Sequence, residues 1–62
     1  MTPREREVLT LLAEGRSNAE ISLALGISAN TVKWHLRHLF ERFDASTRTE
    51  TVVRAMREGV LT

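Results

Sequence analysis

Between Ser17 and His35 the chain reads Ser17-Asn18-Ala19-Glu20-Ile21, then Leu25-Gly26-Ile27-Ser28, then Thr31-Val32-Lys33-Trp34-His35. This run leaves little room for anything but two helices closed by a tight turn. Ser17 with Glu20 three residues on is a capping box, Gly26 after Leu25 is a helix stop, and Ser28 caps the helix that follows. Ile21 supplies the apolar anchor of the first helix, Ile27 is expected buried in the turn, and Val32 and Leu36 stand one turn apart on the second. The layout is that of a helix-turn-helix spanning residues 18–37. With 62 residues and no cysteine, the chain has neither disulfide staple nor thiolate zinc cage, so helix packing alone must hold it.

Two further capping boxes, Thr2 with Glu5 and Thr47 with Glu50, open two more helices. Pro3 falls at a first helical position, where its missing N–H costs nothing. Gly15 and Gly59 read as stops, and Asp44-Ala45-Ser46 interrupts the periodicity after Phe43. The predicted helices are therefore Pro3–Glu14, Asn18–Leu25, Ala29–Phe43 and Arg48–Glu58. Apolar residues recur at helical spacing: Val8, Leu9 and Leu12; Ile21 and Leu25; Val32, Leu36, Leu39, Phe40 and Phe43; Val52 and Met56. Alternation at period two is absent. The expectation is an all-α, compact four-helix bundle of modest stability, with residues 1–62 forming one domain without repeat or linker. No apolar run approaches the roughly 20 residues that span a bilayer, and the N-terminus lacks the hydrophobic segment of a signal peptide. A soluble, cytoplasmic protein with no membrane association is expected.

The chemistry concentrates on the third helix. Stepping 100° per residue from Val32 puts Leu36, Leu39 and Phe43 on one side and Asn30, Trp34, Arg37 and Glu41 on the other, with Lys33 on the shoulder. A large aromatic thus stands where solvent should be, among groups that donate hydrogen bonds. A helix entering the major groove reads bases from its N-terminal half, where Asn30, Lys33, Trp34 and Arg37 all lie. Lys33 and Arg37 suit guanine N7 and O6; Trp34 suits a thymine methyl or a sugar. Glu41, one turn beyond Arg37, reads as an intrahelical ion pair. His35 flanks the buried stripe and is expected to pack or to hydrogen-bond near the DNA backbone, with His38 solvated. The two histidines lack a third ligand at matching spacing, so no metal or other cofactor is expected. Neither a nucleophile–base–acid set nor a phosphate-cradling glycine loop exists, so the chain is not expected to be an enzyme. Net charge is only +1. It is unevenly spread, with three arginines against four glutamates over 1–28 and six cations against four carboxylates over 29–62.

Thr2-Pro3-Arg4-Glu5-Arg6-Glu7-Val8-Leu9, Ala13-Glu14-Gly15-Arg16-Ser17-Asn18-Ala19-Glu20-Ile21, Leu25-Gly26-Ile27-Ser28, Thr31-Val32-Lys33-x-His35 and Arg48-Thr49-Glu50 together resemble the LuxR-type (GerE or NarL-like) helix-turn-helix domain of bacterial transcription regulators. The resemblance covers practically the whole chain. It implies a sequence-specific binder of double-stranded DNA, the C-terminal output domain of a regulator whose N-terminal sensor or receiver part is absent here. Helix three would be the recognition helix, with Lys33, Trp34 and Arg37 at the base-reading positions. Ser17, Asn18, Thr31 and Arg48 would meet phosphates, and Arg16 is a loop cation within approach of them. Helix four would supply a dimer contact through Val52, Val53 and Met56, with Val52 and Met56 also packing on the core and Val53 exposed. The dimer would be weak in isolation and would serve inverted-repeat sites, and RNA polymerase is a further partner that the resemblance implies. Trp34 departs from the smaller residues usual at its position, and Ser22 stands where alanine is common.

Two other readings compete. In one, Trp34 and helix three dock a groove on a protein partner, which makes Trp34 rather than Lys33 and Arg37 the costly residue to lose. In the other, the chain is the promoter-reading helix-turn-helix of a sigma factor. That fits worse, because the Thr-Pro-Arg-Glu opening is joined here to the Thr-Val-Lys-x-His core and to Arg-Thr-Glu.

Overall fold

A hydroxyl stands at the start of every helix in the computed structural model, which describes residues 1–61. Thr2, Ser17, Ser28 and Thr47 precede α1 (Pro3–Ala13), α2 (Asn18–Leu25), α3 (Ala29–Arg42) and α4 (Arg48–Arg57). Each accepts from the backbone N–H three residues ahead at 3.1 Å, removing one of the orphan donors every helix start carries. At α1 and α2 the bond is reciprocal: the Thr2 N–H donates to the Glu5 carboxylate at 3.1 Å and the Ser17 N–H to that of Glu20 at 2.9 Å. The third expected box differs. Glu50 accepts from the N–H of Ser46 at 2.7 Å instead of that of Thr47. The Thr47 backbone is more extended, with φ −135° against −77° and −74° at Thr2 and Ser17, and it is the preceding N–H that meets the first turn.

The predicted ends of α1, α3 and α4 each run one residue long, since Glu14, Phe43 and Glu58 are the capping residues that close them. Gly26 ends α2 in the left-handed region at φ +66°. Its N–H and that of Ile27 both return to the Ser22 carbonyl, the latter at 3.1 Å, while the Ser22 hydroxyl donates to the Ile27 carbonyl. Serine at position 22 therefore closes the turn between α2 and α3 with a bond alanine could not make. Asp44 holds φ +50° and breaks the chain away from α3, a conformation aspartate tolerates better than most residues.

The helices close on one cluster: Val8, Leu9 and Leu12 from α1, Ile21 from α2, Val32, Leu36 and Leu39 from α3 with Phe43 behind them, and Ala55 from α4. Leu9, Ile21 and Leu39 lose all their exposed surface, and burial of this kind contributes about 1.5–3 kcal/mol for each large apolar side chain. Ile27, expected buried, is half-buried against the cluster.

Helix four matches the sequence reading at Val52 and Val53 and corrects it at Met56. Its buried residues are Thr51 and Ala55; Val52 only edges the core, Val53 is exposed, and Met56 keeps 56% of its surface. Thr51 goes inside at no polar cost because its hydroxyl donates to the Thr47 carbonyl at 2.8 Å. Small side chains thus form the inner face of α4, with Val52 at its edge and Val53 and Met56 facing outward. No strand occurs among the described residues, and no helix is long and apolar enough to cross a membrane.

Candidate nucleic-acid interface

The side of α3 opposite the core begins at its capped N-terminus, where the Ser28 and Thr31 hydroxyls lie 2.9 Å apart. Asn30, Lys33, Trp34 and Arg37 are all exposed along it, and Thr31 is half-buried at its edge. Trp34 keeps 51% of its surface. Its indole is not loose: the ring leans on that of His38, centroids 4.1 Å apart at 37°, and meets the His35 ring edge-on at 5.1 Å. The His38 contact is an i, i+4 pairing that treating His38 as merely solvated overlooks.

Among the described residues, neither Lys33 nor Arg37 forms an ion pair or a side-chain hydrogen bond. The pairing of Arg37 with Glu41 expected from their spacing is not made. An arginine four residues before a glutamate is the weaker of the two helical orders, and an exposed pair of this kind is worth only ~0.3 kcal/mol. Both cations are left with their donors directed to solvent.

His35 takes the packing role expected of a residue flanking the buried stripe. It retains 8% of its surface, and its Nδ1 is buried without a hydrogen-bond partner among the described residues. The ring is thus largely covered, packed edge-on against Trp34, and only its small remaining surface is open to a contact on this face.

The start of α2 carries the other residues expected at a phosphate backbone. Ser17 is exposed and Asn18 half-buried. The Glu20 carboxyl is held below the usual carboxylate value chiefly by the Ser17 N–H, with the Ser17 hydroxyl adding to it. Arg16, in the preceding turn, donates to Glu14 at 3.4 Å. Arg48, from the first turn of α4, reaches the same turn: its Nη1 donates to the Arg16 carbonyl at 3.1 Å and its Nη2 to Asn18 Oδ1. Neither bond was visible in the sequence, since the partners are 32 and 30 residues apart. On the far side of α4, Val53 and Met56 are exposed next to half-buried Val52 and form an apolar strip. Among the described residues no group of three or more His, Asp or Glu side chains could hold a metal ion.

A model of the family described as "Bacterial regulatory proteins, luxR family" matches residues 1–55. The chain is 44% identical over 61 residues to the transcriptional regulatory protein LiaR of Bacillus subtilis (strain 168), covering 98% of this chain and 29% of LiaR. It is 41% identical over 61 residues to the HTH-type quorum sensing-dependent transcriptional regulator RpaR of Rhodopseudomonas palustris, covering 98% of this chain and 25% of that protein. The fold matches the solved structure of the transcription factor GerE with a TM-score of 0.91 at 34% identity, over 100% of this chain and 92% of that one. The chain thus spans between 7% and 29% of the length of the curated relatives it matches.

Proposed function

The chain belongs to the luxR family of bacterial regulatory proteins, a family of transcriptional regulators rather than enzymes, and from that premise we propose that residues 1–62 are a DNA-binding output domain that reads a specific duplex sequence. The observation that carries the reading is the outer face of α3, where two unpaired cations, Lys33 and Arg37, flank an exposed and braced Trp34. In the major groove this face sets Lys33 and Arg37 against guanine N7 and O6, Asn30 against a neighbouring base edge, and the indole against a thymine methyl or a sugar. Ser17, Asn18 and Thr31 belong to helix starts, where backbone N–H groups and hydroxyls suit phosphate oxygens, and Arg16 adds a cation in the turn before α2. His35, largely covered and packed against Trp34, braces the indole, and no base contact is assigned to it.

The exposed strip of Val53 and Met56, with Val52 behind it, supports self-association through α4. Two copies paired there would present their α3 helices to successive major grooves about 34–36 Å apart on an inverted repeat. One short helix offers a small interface, so the free domain is monomeric or weakly dimeric and pairs on DNA. In the relatives a domain of this size makes up 7% to 29% of the chain, and the 62 residues offer no separate domain for sensing a signal, so their role is assigned to DNA binding alone. The site of action is the cytoplasm, where bacterial DNA is reached.

Duplex DNA titrated into the domain at low and moderate salt, followed by Trp34 fluorescence and by anisotropy of labelled DNA, tests the reading. The chain has one tryptophan, so the signal reports the interface directly. Expected is a saturable change that weakens steeply with salt and is lost in a K33A/R37A double variant. No change in either readout at low salt would refute it and turn attention to a protein partner docked on Trp34.

A further inference from the structure

Arg48 opens α4 at a place where the helix itself has no use for it, since the first turn of a helix disfavours a cation. Its two terminal nitrogens are instead committed across the fold, Nη1 to the backbone carbonyl of Arg16 and Nη2 to the side-chain oxygen of Asn18. Arg16, Ser17 and Asn18 are the turn and first residues of α2, the segment that the proposed function places against phosphates. Two acceptors on consecutive parts of one segment, met by one planar guanidinium, fix both the position of that turn and the rotamer of Asn18. With its oxygen held by Arg48, the Asn18 amide keeps both N–H donors uncommitted among the described residues, and these suit an anion. The sequence reading places Arg48 itself on a phosphate. We infer instead that Arg48 is a positioning residue, which orients the α2 start and the Asn18 amide for the DNA backbone rather than neutralising a phosphate.

The inference rests on the DNA-binding reading and differs measurably from a direct contact. A cation that neutralises a phosphate releases counterions, so its removal lowers the salt dependence of binding by about one in the log–log slope. A positioning residue lowers affinity and leaves that slope unchanged. Lysine would preserve a charge contact but has no fork to span two acceptors.

The experiment compares wild type, R48A, R48K, N18A and R48A/N18A by anisotropy on one duplex across a salt series, with thermal melts to confirm that each is folded. R48K keeps the charge and the stem and carries the comparison if R48A melts too low. Expected are losses of roughly tenfold for both R48A and R48K at unchanged slope, and little added loss when R48A is placed on N18A, as for residues acting through one network. Hydrogen exchange of the free protein provides a readout without DNA: in R48A the amides of Ser17, Glu20 and Ile21 exchange faster. A slope reduced by about one, R48K binding as wild type, losses that multiply, or unchanged exchange in R48A would each overturn the inference. Wild-type protein that fails to bind any duplex at low salt would overturn the DNA reading and this role with it, and is told apart from the other outcomes by the wild-type titration alone.

Discussion

Replacing Gly26 with alanine isolates the backbone geometry of the turn that sets α2 against α3. The residue sits at φ +66° and an added Cβ would meet nothing within 4 Å, so the substitution carries no steric clash with the surroundings. What remains is conformational. Holding a residue with a Cβ in the left-handed region costs about 1–2 kcal/mol. Against this, alanine restricts the unfolded chain and returns about 0.4–1 kcal/mol. The difference is a net loss of about 1 kcal/mol, which for a domain of 62 residues lowers Tm by roughly 8 °C. Asparagine tolerates the left-handed region, so Gly26→Asn should lose distinctly less than Gly26→Ala. Thermal and urea melts followed by helical circular dichroism measure both. An alanine variant as stable as wild type would show that the turn does not need its left-handed residue. A loss above about 3 kcal/mol would show that the added methyl group meets an obstacle the open space around Gly26 does not contain.

Ile21 is the only fully buried residue of α2, and Ile21→Ala should cost about 2–5 kcal/mol. That is a large share of the ~3–9 kcal/mol a chain of this length commands, so the variant should show partial unfolding at 37 °C; a loss under 1 kcal/mol would mean that α2 docks by other means. The Glu5 and Glu20 carboxyls are both held below their ordinary value of 4.5, each chiefly by the N–H of its own cap, Thr2 or Ser17. Their contribution is complete above that value and is lost as pH falls through the lowered folded values, so Tm should be level from pH 7 to 5 and decline below about 4.5. The E5Q/E20Q variant should show a shallower acid decline, and an identical decline would place the acid sensitivity elsewhere. Val53→Glu, at an exposed position, should leave the melt of dilute protein within about 0.5 kcal/mol. It should weaken binding to an inverted repeat while sparing a single half-site, and equal losses on both would remove α4 from the dimer contact.

Helix starts were legible because a cap is local chemistry: a hydroxyl, a carboxylate three residues on and the orphan N–H groups between them lie within one turn of sequence. The same locality explains where the reading failed. Met56 was placed inward by hydrophobicity, yet the inner face of α4 belongs to Thr51 and Ala55, and a buried threonine is invisible until its bond to the Thr47 carbonyl is known. Helical periodicity put His35 on the flank of the stripe, and only the approach of neighbouring helices decides that a flank is covered. The outward placement of Asn30, Lys33, Trp34 and Arg37 needed nothing more than the angle between residues. The linkage of Arg48 to Asn18 needed the whole fold, because no local rule relates residues 30 apart.

The small net charge acquires meaning only when each cation is followed to its partner. Arg4 stands 3.9 Å from Glu7, Arg16 beside Glu14, and Arg54 between Glu50 and Asp44 while also donating to the Phe43 carbonyl. Arg6 donates to the Val60 carbonyl at 3.4 Å, Arg48 spans Arg16 and Asn18, and Arg42 lies over the Phe43 ring. The carboxylates are thus spent largely on α1, α4 and their flanking turns, and none reaches Lys33 or Arg37. A chain with net charge +1 therefore presents a face whose cations have no internal competitor, and this matters more for a groove-reading helix than overall basicity. Bulk charge raises affinity for any polyanion, whereas two unpaired donors around one braced aromatic ring discriminate between base edges. On that basis, placing a carboxylate beside them, as in Asn30→Asp, should weaken specific binding more than removing Arg4 from α1 or Arg57 from α4. Equal effects from all three substitutions would mean that binding follows total charge, and that the outer face of α3 does not read sequence.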